Sequence, residues 1–260
     1  MKMKTIAIII VVLIASLAAA DVLITNGLTH VFSAGPGSVL SGRINLQNTS
    51  AEPARVRFYI RDYFFDYTGW TGYGEPGELE RSNADWLELQ APEITVPASA
   101  ETSFNFSIVV PEDQDFRGTF WSVIMVEPTI IYDDEDSPGV TVRTMTRYAI
   151  QIVTNFGEAV ENNVSIVGRG LSDKEGIRTL FLDIQNTGDW LLRPAVSARV
   201  FDSAGAMIGE FEGESFRLYP GTSRRFNVVL NELSPGNYTV LALIRDGDEV
   251  WGAQYSMSIE

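Results

Sequence analysis

The chain contains no cysteine, and its single histidine is His30. Without thiols there is no disulfide, no thiolate metal ligand, no thiol nucleophile and no cysteine on which a lipid anchor could be built. One imidazole excludes a histidine-dependent triad and a multi-histidine metal centre. Basic residues are scarce: 19 stand against 34 acidic ones, for a net charge of −15. No basic stripe of the kind a phosphate backbone requires is visible, which argues against a nucleic-acid partner. Neither a GxSxG elbow nor a phosphate-cradling glycine motif is present. A carboxylate pair is the remaining route to catalysis, but the Asp and Glu residues fall in turns and on the outward positions of alternating segments, where solvation accounts for them. The expectation is a protein that is not an enzyme and that takes no cofactor or metal.

Long apolar runs are equally rare, with one exception. MKMKTIAIIIVVLIASLAAA opens with Lys2 and Lys4, continues apolar from Ile6 to Leu17, and ends in Ala18-Ala19-Ala20 before Asp21. This is the pattern of a secretory signal peptide over residues 1–20, and the run is short of the roughly 20 residues that span a bilayer. The expected product is exported, without stable membrane insertion after cleavage. Loss of the two lysines takes the net charge from −15 to −17, which favours solubility and disfavours anionic surfaces.

Beyond the leader the chain alternates with a period of two. Phe104, Phe106, Ile108 and Val110 alternate with Ser103, Asn105, Ser107 and Val109; Pro111 ends that strand, and Thr119 to Val126 forms a nearly continuous apolar run up to Pro128. The two runs and the polar turn between them predict a β-hairpin, with the second run a central strand. Val56, Phe58 and Ile60 alternate with Arg55, Arg57, Tyr59 and Arg61 as inward and outward rows. Trp86 and Leu87 begin another short strand, and Val140 to Phe156 predicts a long one. A repeat follows. TLFLDIQNTGD near residue 184 echoes GRINLQNTS near residue 45, and LYPGTSRRFNVVLNELSPGNYTVLALI echoes VPASAETSFNFSIVVPEDQDFRGTFWSVIMV. Hairpins are expected around Ser203-Ala204-Gly205 and Asp246-Gly247-Asp248. The reading is all-β, with two consecutive Ig-like sandwich domains over residues 21–157 and 158–260.

Two segments break the alternation. DYFFDYTGWTGYGEPG, residues 62–77, interleaves aromatics with glycines and is too glycine-rich for a stable strand or helix. Either Phe64 and Phe65 finish the preceding strand and the rest folds down as a plug on the sandwich end, or the segment presents Tyr67, Trp70 and Tyr73 to a glycan or polypeptide partner. Asp133-Asp134-Glu135-Asp136 is the densest acidic cluster; its spacing is not that of the DxDxDG calcium loop, so it reads as a solvated hairpin tip. His30, between Thr29 and Val31, reads as an edge-strand residue.

The stretch PEDQDFRGTFWSVIMVEP carries a resemblance. Pro111, Asp113, Phe120, Trp121, Val123, Val126, Glu127 and Pro128 fit the pattern of the PapD-like pilus-assembly chaperones of the bacterial periplasm, with Gly118-Thr119 where that family usually has Ser-Leu. A looser similarity runs to the paired Ig-like domains of WxL-associated surface proteins. The first resemblance implies a periplasmic protein that completes a pilin-like subunit by donating a strand. The donor would carry Val140, Val142, Thr144, Thr146 and Tyr148. The family also anchors the subunit's terminal carboxylate with an Arg on the first strand and a Lys on the last strand of domain one. Here Thr29 or His30 stands at the first position, and Arg143 or Arg147 near the second. The alternative is a surface or periplasmic adhesion module that works through Tyr67, Trp70 and Tyr73.

Overall fold

The computed structural model describes residues 22–112, 115–129, 146–158, 162–231 and 233–259. In chain order the strands are β1 (Val22–Ile24), β2 (Thr29–Ala34), β3 (Val39–Asn48), β4 (Ala54–Phe65), β5 (Thr71–Gly74), β6 (Leu87–Leu89), β7 (Glu93–Val96), β8 (Glu101–Val109), β9 (Gly118–Thr129) and β10 (Tyr148–Phe156). They continue with β11 (Val164–Lys174), β12 (Ile177–Asn186), β13 (Ala195–Phe201), β14 (Met207–Ser215), β15 (Ser223–Val229), β16 (Gly236–Asp246) and β17 (Glu249–Ile259). The fold is all-β; one short 3₁₀ turn, Ala84–Trp86, is the helical element among the described residues.

The first ten strands make two facing sheets. One has the order β1-β3-β8-β6. The other runs β2-β10-β9-β4-β5, with β7 also pairing with β4, and β2 lies parallel to β10. Their inward rows close on one core. Phe58 of β4 stacks on Phe104 of β8 with ring centroids 3.6 Å apart, and Ile44, Ile108, Ile124, Ile150 and Ile152 surround them with no exposure. Two packed layers are how half-apolar sheets hide their apolar faces. Strands β11 to β17 form a second sandwich. β11, β12 and β15 make one layer and β14, β13, β16 and β17 the other, joined at the single pair Gly213↔Val228.

The expected β8–β9 hairpin does not form. The two strands belong to opposite sheets. Strand β9 is apolar on both faces, with Ile124 and Val126 in the first core and Trp121, Val123 and Met125 buried on the other side. It therefore sits between β4 and β10, while β8 completes its ladders with β3 and β6. In residues 62–77 Phe64 and Phe65 finish β4 as expected; the departure is that the chain then returns as β5 to make a hairpin with Phe65↔Thr71 and Tyr63↔Tyr73 in register. Local turn chemistry overrides the glycine content. Asp66 Oδ1 accepts the Thr68 N–H at 2.7 Å, Gly69 takes φ +89°, and the Asp66 N–H donates to Trp70 O at 3.1 Å. In addition, Ala84–Trp86 turns before the strand starts at Leu87.

The repeat holds at the level of single residues. Ile44 pairs with Phe104 and Gln47 with Glu101; in the second sandwich Leu182 pairs with Phe226 and Gln185 with Ser223. Asn48 and Asn186, both buried, play one role: each Oδ1 accepts the N–H two residues on, and each Nδ2 donates to a carbonyl of the neighbouring strand's approach, Val96 at 3.2 Å and Leu218 at 2.9 Å. A left-handed residue follows at the matched position, Ser99 (φ 52°) in one copy and Gly221 (φ 78°) in the other.

Candidate functional site

The outer face of the β2-β10-β9-β4-β5 sheet carries the odd-numbered row of β9 and β10, and one end of that face is covered by the second sandwich. There Trp121 stacks on Tyr219 with centroids 4.7 Å apart, and its indole N–H donates to Tyr63 O at 2.7 Å. Tyr219 is fully buried and donates its hydroxyl to Gln151 Oε1. Burial pushes the Tyr219 phenol far up, so it remains a neutral donor. Thr119 N–H donates to Asp189 O at 2.7 Å, and the Thr119 hydroxyl accepts the Leu191 N–H at 2.8 Å. Gly118 has φ +79°, and a Cβ there would lie 2.1 Å from Asp189 O. Only glycine permits this backbone approach.

Strand β10 is paired unevenly. β9 covers it from Tyr148 to Phe156, whereas β2 covers it only from Gln151 onward. Tyr148 to Ile150 thus keep one edge with no strand against it among the described residues. Of the expected donor row, Val140, Val142 and Thr144 lie outside the described residues, as do Arg143 and the acidic cluster 133–136. Thr146 is exposed. Tyr148 opens β10 and donates its hydroxyl to Val22 O at 2.9 Å. Its row continues inward as Ile150 and Ile152, both fully buried, so the even positions of this strand share the core-facing phase.

The expected anchor Arg147 meets a carboxylate of its own chain. Its Nε lies 3.1 Å from Glu127 Oε2, and Glu127 also takes the Arg57 guanidinium at 3.1 Å and the Tyr59 hydroxyl at 2.9 Å. Burial works to raise the Glu127 carboxyl, but the bonds from Tyr59 and Arg57 and the Arg147 charge outweigh it and hold the group below its ordinary value. Arg57 and Arg61 lie over the Tyr59 ring at 5.3 and 5.2 Å. With Tyr73 and Met125 these residues line a cavity of about 510 Å³. Arg147 and Thr29 are separated along the β10 ladder, since the residue facing Thr29 is Gln151.

A second cavity, about 210 Å³, lies at the joint between the sandwiches, where Arg193, Arg217 and Arg224 converge with Tyr63, Gln151 and Tyr219. Arg224 is held against the Phe216 ring at 4.3 Å and the Phe65 ring at 5.3 Å. Among the described residues no carboxylate forms an ion pair with these three guanidinium groups; Asp246 Oδ2 accepts the Arg193 backbone N–H at 3.0 Å. Three guanidinium groups without an ion pair lining one recess are the kind of donor set that carboxylates favour. The sequence reading did not find them. A signal was present: of the 19 basic residues 16 are arginine, and Lys2, Lys4 and Lys174 are the only lysines.

The aromatic trio does not form one patch. Tyr67, Trp70 and Tyr73 are 40%, 49% and 48% exposed. Tyr73 packs on Tyr63 at 5.5 Å and borders the 510 Å³ cavity, whereas Trp70 packs on Phe64 at 4.3 Å on another side of the hairpin, and the Tyr67 backbone N–H bonds Ser223 Oγ at 3.2 Å. His30 sits half-buried on β2 with its ring edge toward Phe106. Its Nε2 has no partner, and burial lowers its pKa. Among the described residues no group of three or more His, Asp or Glu is placed to hold a metal, and no helix is long and apolar enough to cross a membrane.

No family model and no curated protein matches the chain. Solved structures similar to it include the class 5 fimbriae chaperone CfaA (TM-score 0.48, 13% identity, covering 92% of this chain and 100% of that one). Two others are a chain of the Salmonella enterica SafA pilin–SafB chaperone complex (0.47, 10%, 93% and 97%) and the E. coli chaperone DraB (0.44, 10%, 93% and 97%).

Proposed function

We propose that this chain is an exported, periplasmic, non-enzymatic protein that assists assembly of pili or another surface structure by adding a strand to an incomplete subunit. The observation that carries this reading is the half-paired β10. Its first residues have no strand on one side among the described residues, and its side-chain phase already belongs to a core. Strand addition draws affinity from such an edge and specificity from alternate side chains. Val140, Val142, Thr144, Thr146 and Tyr148 are the donor row. Arg143 and Arg147 are the candidate anchors of this reading, and the recess of Arg193, Arg217 and Arg224 receives an acidic group of the partner polypeptide. The division of the chain into units 21–157 and 158–260 is part of the same reading.

The test is co-purification of the mature protein from its own periplasm, with mass spectrometry of what accompanies it, set beside the double variant V142D/T144D. Recovery of a small β-rich subunit by wild type and its loss in the variant is the expected result. Recovery by both, or by neither, rejects strand addition. Sequencing of the secreted product is expected to begin at Asp21.

A further inference from the structure

A third cavity runs along the joint, bounded by Phe64 and Trp70 of the β4–β5 hairpin, by Leu79 and Trp121, and by residues 185–188 and 220–223 of the second sandwich. Its volume is about 630 Å³, within the range of roughly 300–1,000 Å³ that small-molecule sites occupy, and its place between two folded bodies is where such sites concentrate.

Trp70 is held in position there at a cost. A large indole left half exposed forgoes much of the burial that would otherwise stabilise it. The ring is nonetheless fixed. It packs on Phe64 at 4.3 Å and folds across Gly72, where a Cβ would come within 2.6 Å of the indole and 2.9 Å of the Phe64 ring. The hairpin therefore presents a rigid aromatic face, ordered before any ligand arrives, which reduces the entropy a ligand must overcome on binding.

The polar groups on the rim are unspent. The Trp70 indole N–H, the Glu80 carboxylate and the Thr187 hydroxyl make no hydrogen bond among the described residues. Gln185 uses its Nε2 on Gly221 O at 3.2 Å and keeps Oε1 free, and Asp66 uses Oδ1 on Thr68 and keeps Oδ2. Arg81, the basic residue of the rim, already donates to Arg117 O at 3.0 Å. An aromatic face beside several spare hydrogen-bond acceptors suits a ring with one apolar C–H face and a girdle of hydroxyls that can donate to them. We propose that this groove binds a neutral saccharide, with one pyranose ring stacked on Trp70 and its hydroxyls donating to Glu80 and Gln185.

The site borders the arginine recess through the shared Phe65 but includes none of its three arginines and nothing of the β10 edge, so it stands or falls independently of strand addition. Cellobiose, maltose and diacetylchitobiose are titrated into the mature protein, followed by intrinsic tryptophan fluorescence and ligand-observed saturation-transfer NMR, with choline chloride as the cationic comparison. Saturable binding of at least one sugar is expected, weakened at least tenfold in Trp70→Ala and in Gly72→Ala, reduced in Glu80→Gln, and unchanged in V142D/T144D. The idea is overturned if no sugar saturates, if Trp70→Ala binds as well as wild type, or if choline saturates in place of the sugars. Thermal unfolding of Glu80→Gln, whose side chain makes no bond in the fold, is expected to match wild type, so that lost binding there reports the site and not the fold.

Discussion

Ser99 and Gly221 occupy one position of a repeated turn, yet one residue pays a steric cost that the other escapes. Both backbones are left-handed, and nothing lies within 4 Å of a Cβ built on Gly221. A Gly221→Ala change therefore isolates the backbone term. It is expected to lower stability by about 1 kcal/mol, whereas Ser99→Gly is neutral or mildly stabilising; urea melts of both variants measure the difference. His30 gives a second test at this scale. Its folded pKa is lowered, so the folded state prefers the neutral ring and the unfolded state takes up the proton first. The stabilisation is complete above the ordinary value near 6.5 and is lost as pH falls below it toward the folded value. Because there is no other histidine, His30→Leu is expected to flatten the fall in stability that sets in as pH drops below the ordinary histidine value of 6.5. A variant that keeps the wild-type slope would mean that the ring does not titrate differently on folding.

At the scale of elements, the alternating rows were readable because a strand's side chains switch faces at every residue. Val56, Phe58, Phe104, Phe106 and Ile108 went inward as expected, and Arg55 and Arg57 outward. Which strands pair was not readable. β8 and β9 are consecutive and both apolar, and only competition for neighbours puts them in different sheets. Asn83 shows how such elements are tied together. Buried before the 3₁₀ turn, its Nδ2 donates to Ile152 O at 3.1 Å and Thr154 Oγ1 at 2.9 Å, while its Oδ1 accepts the Ser122 hydroxyl at 2.6 Å. Asn83→Ala would strand these groups in the interior and is expected to cost about 1–3 kcal/mol, measured by denaturant unfolding. The two-residue β11–β12 turn has positive φ at both Glu175 and Gly176. Glu175→Asn is expected to raise the melting temperature slightly, since Asn tolerates that conformation better.

For the whole molecule, the joint decides the geometry of every candidate site. Trp121, Tyr219 and Phe65 bind the two sandwiches as a continuation of the second core, and Gly118 lets the Asp189 carbonyl close against β9. Gly118→Ala forces that contact apart. The expected outcome is a loosened joint, seen as a red shift of tryptophan emission and as separation of thermal unfolding into two transitions. A single unshifted transition would show that the joint is not held there.

All-β character and the doubled strand pattern were present in the order of residues, because each depends on local period. The arginine recess, the part of the β10 edge with no strand against it among the described residues, and the groove beside Trp70 were not. Arg193, Arg217 and Arg224 are scattered in sequence, and they meet Gln151 and Tyr63 only when one sandwich docks on the other. Edges and recesses are made by what fails to pack, and that is settled only when every strand has found its neighbours.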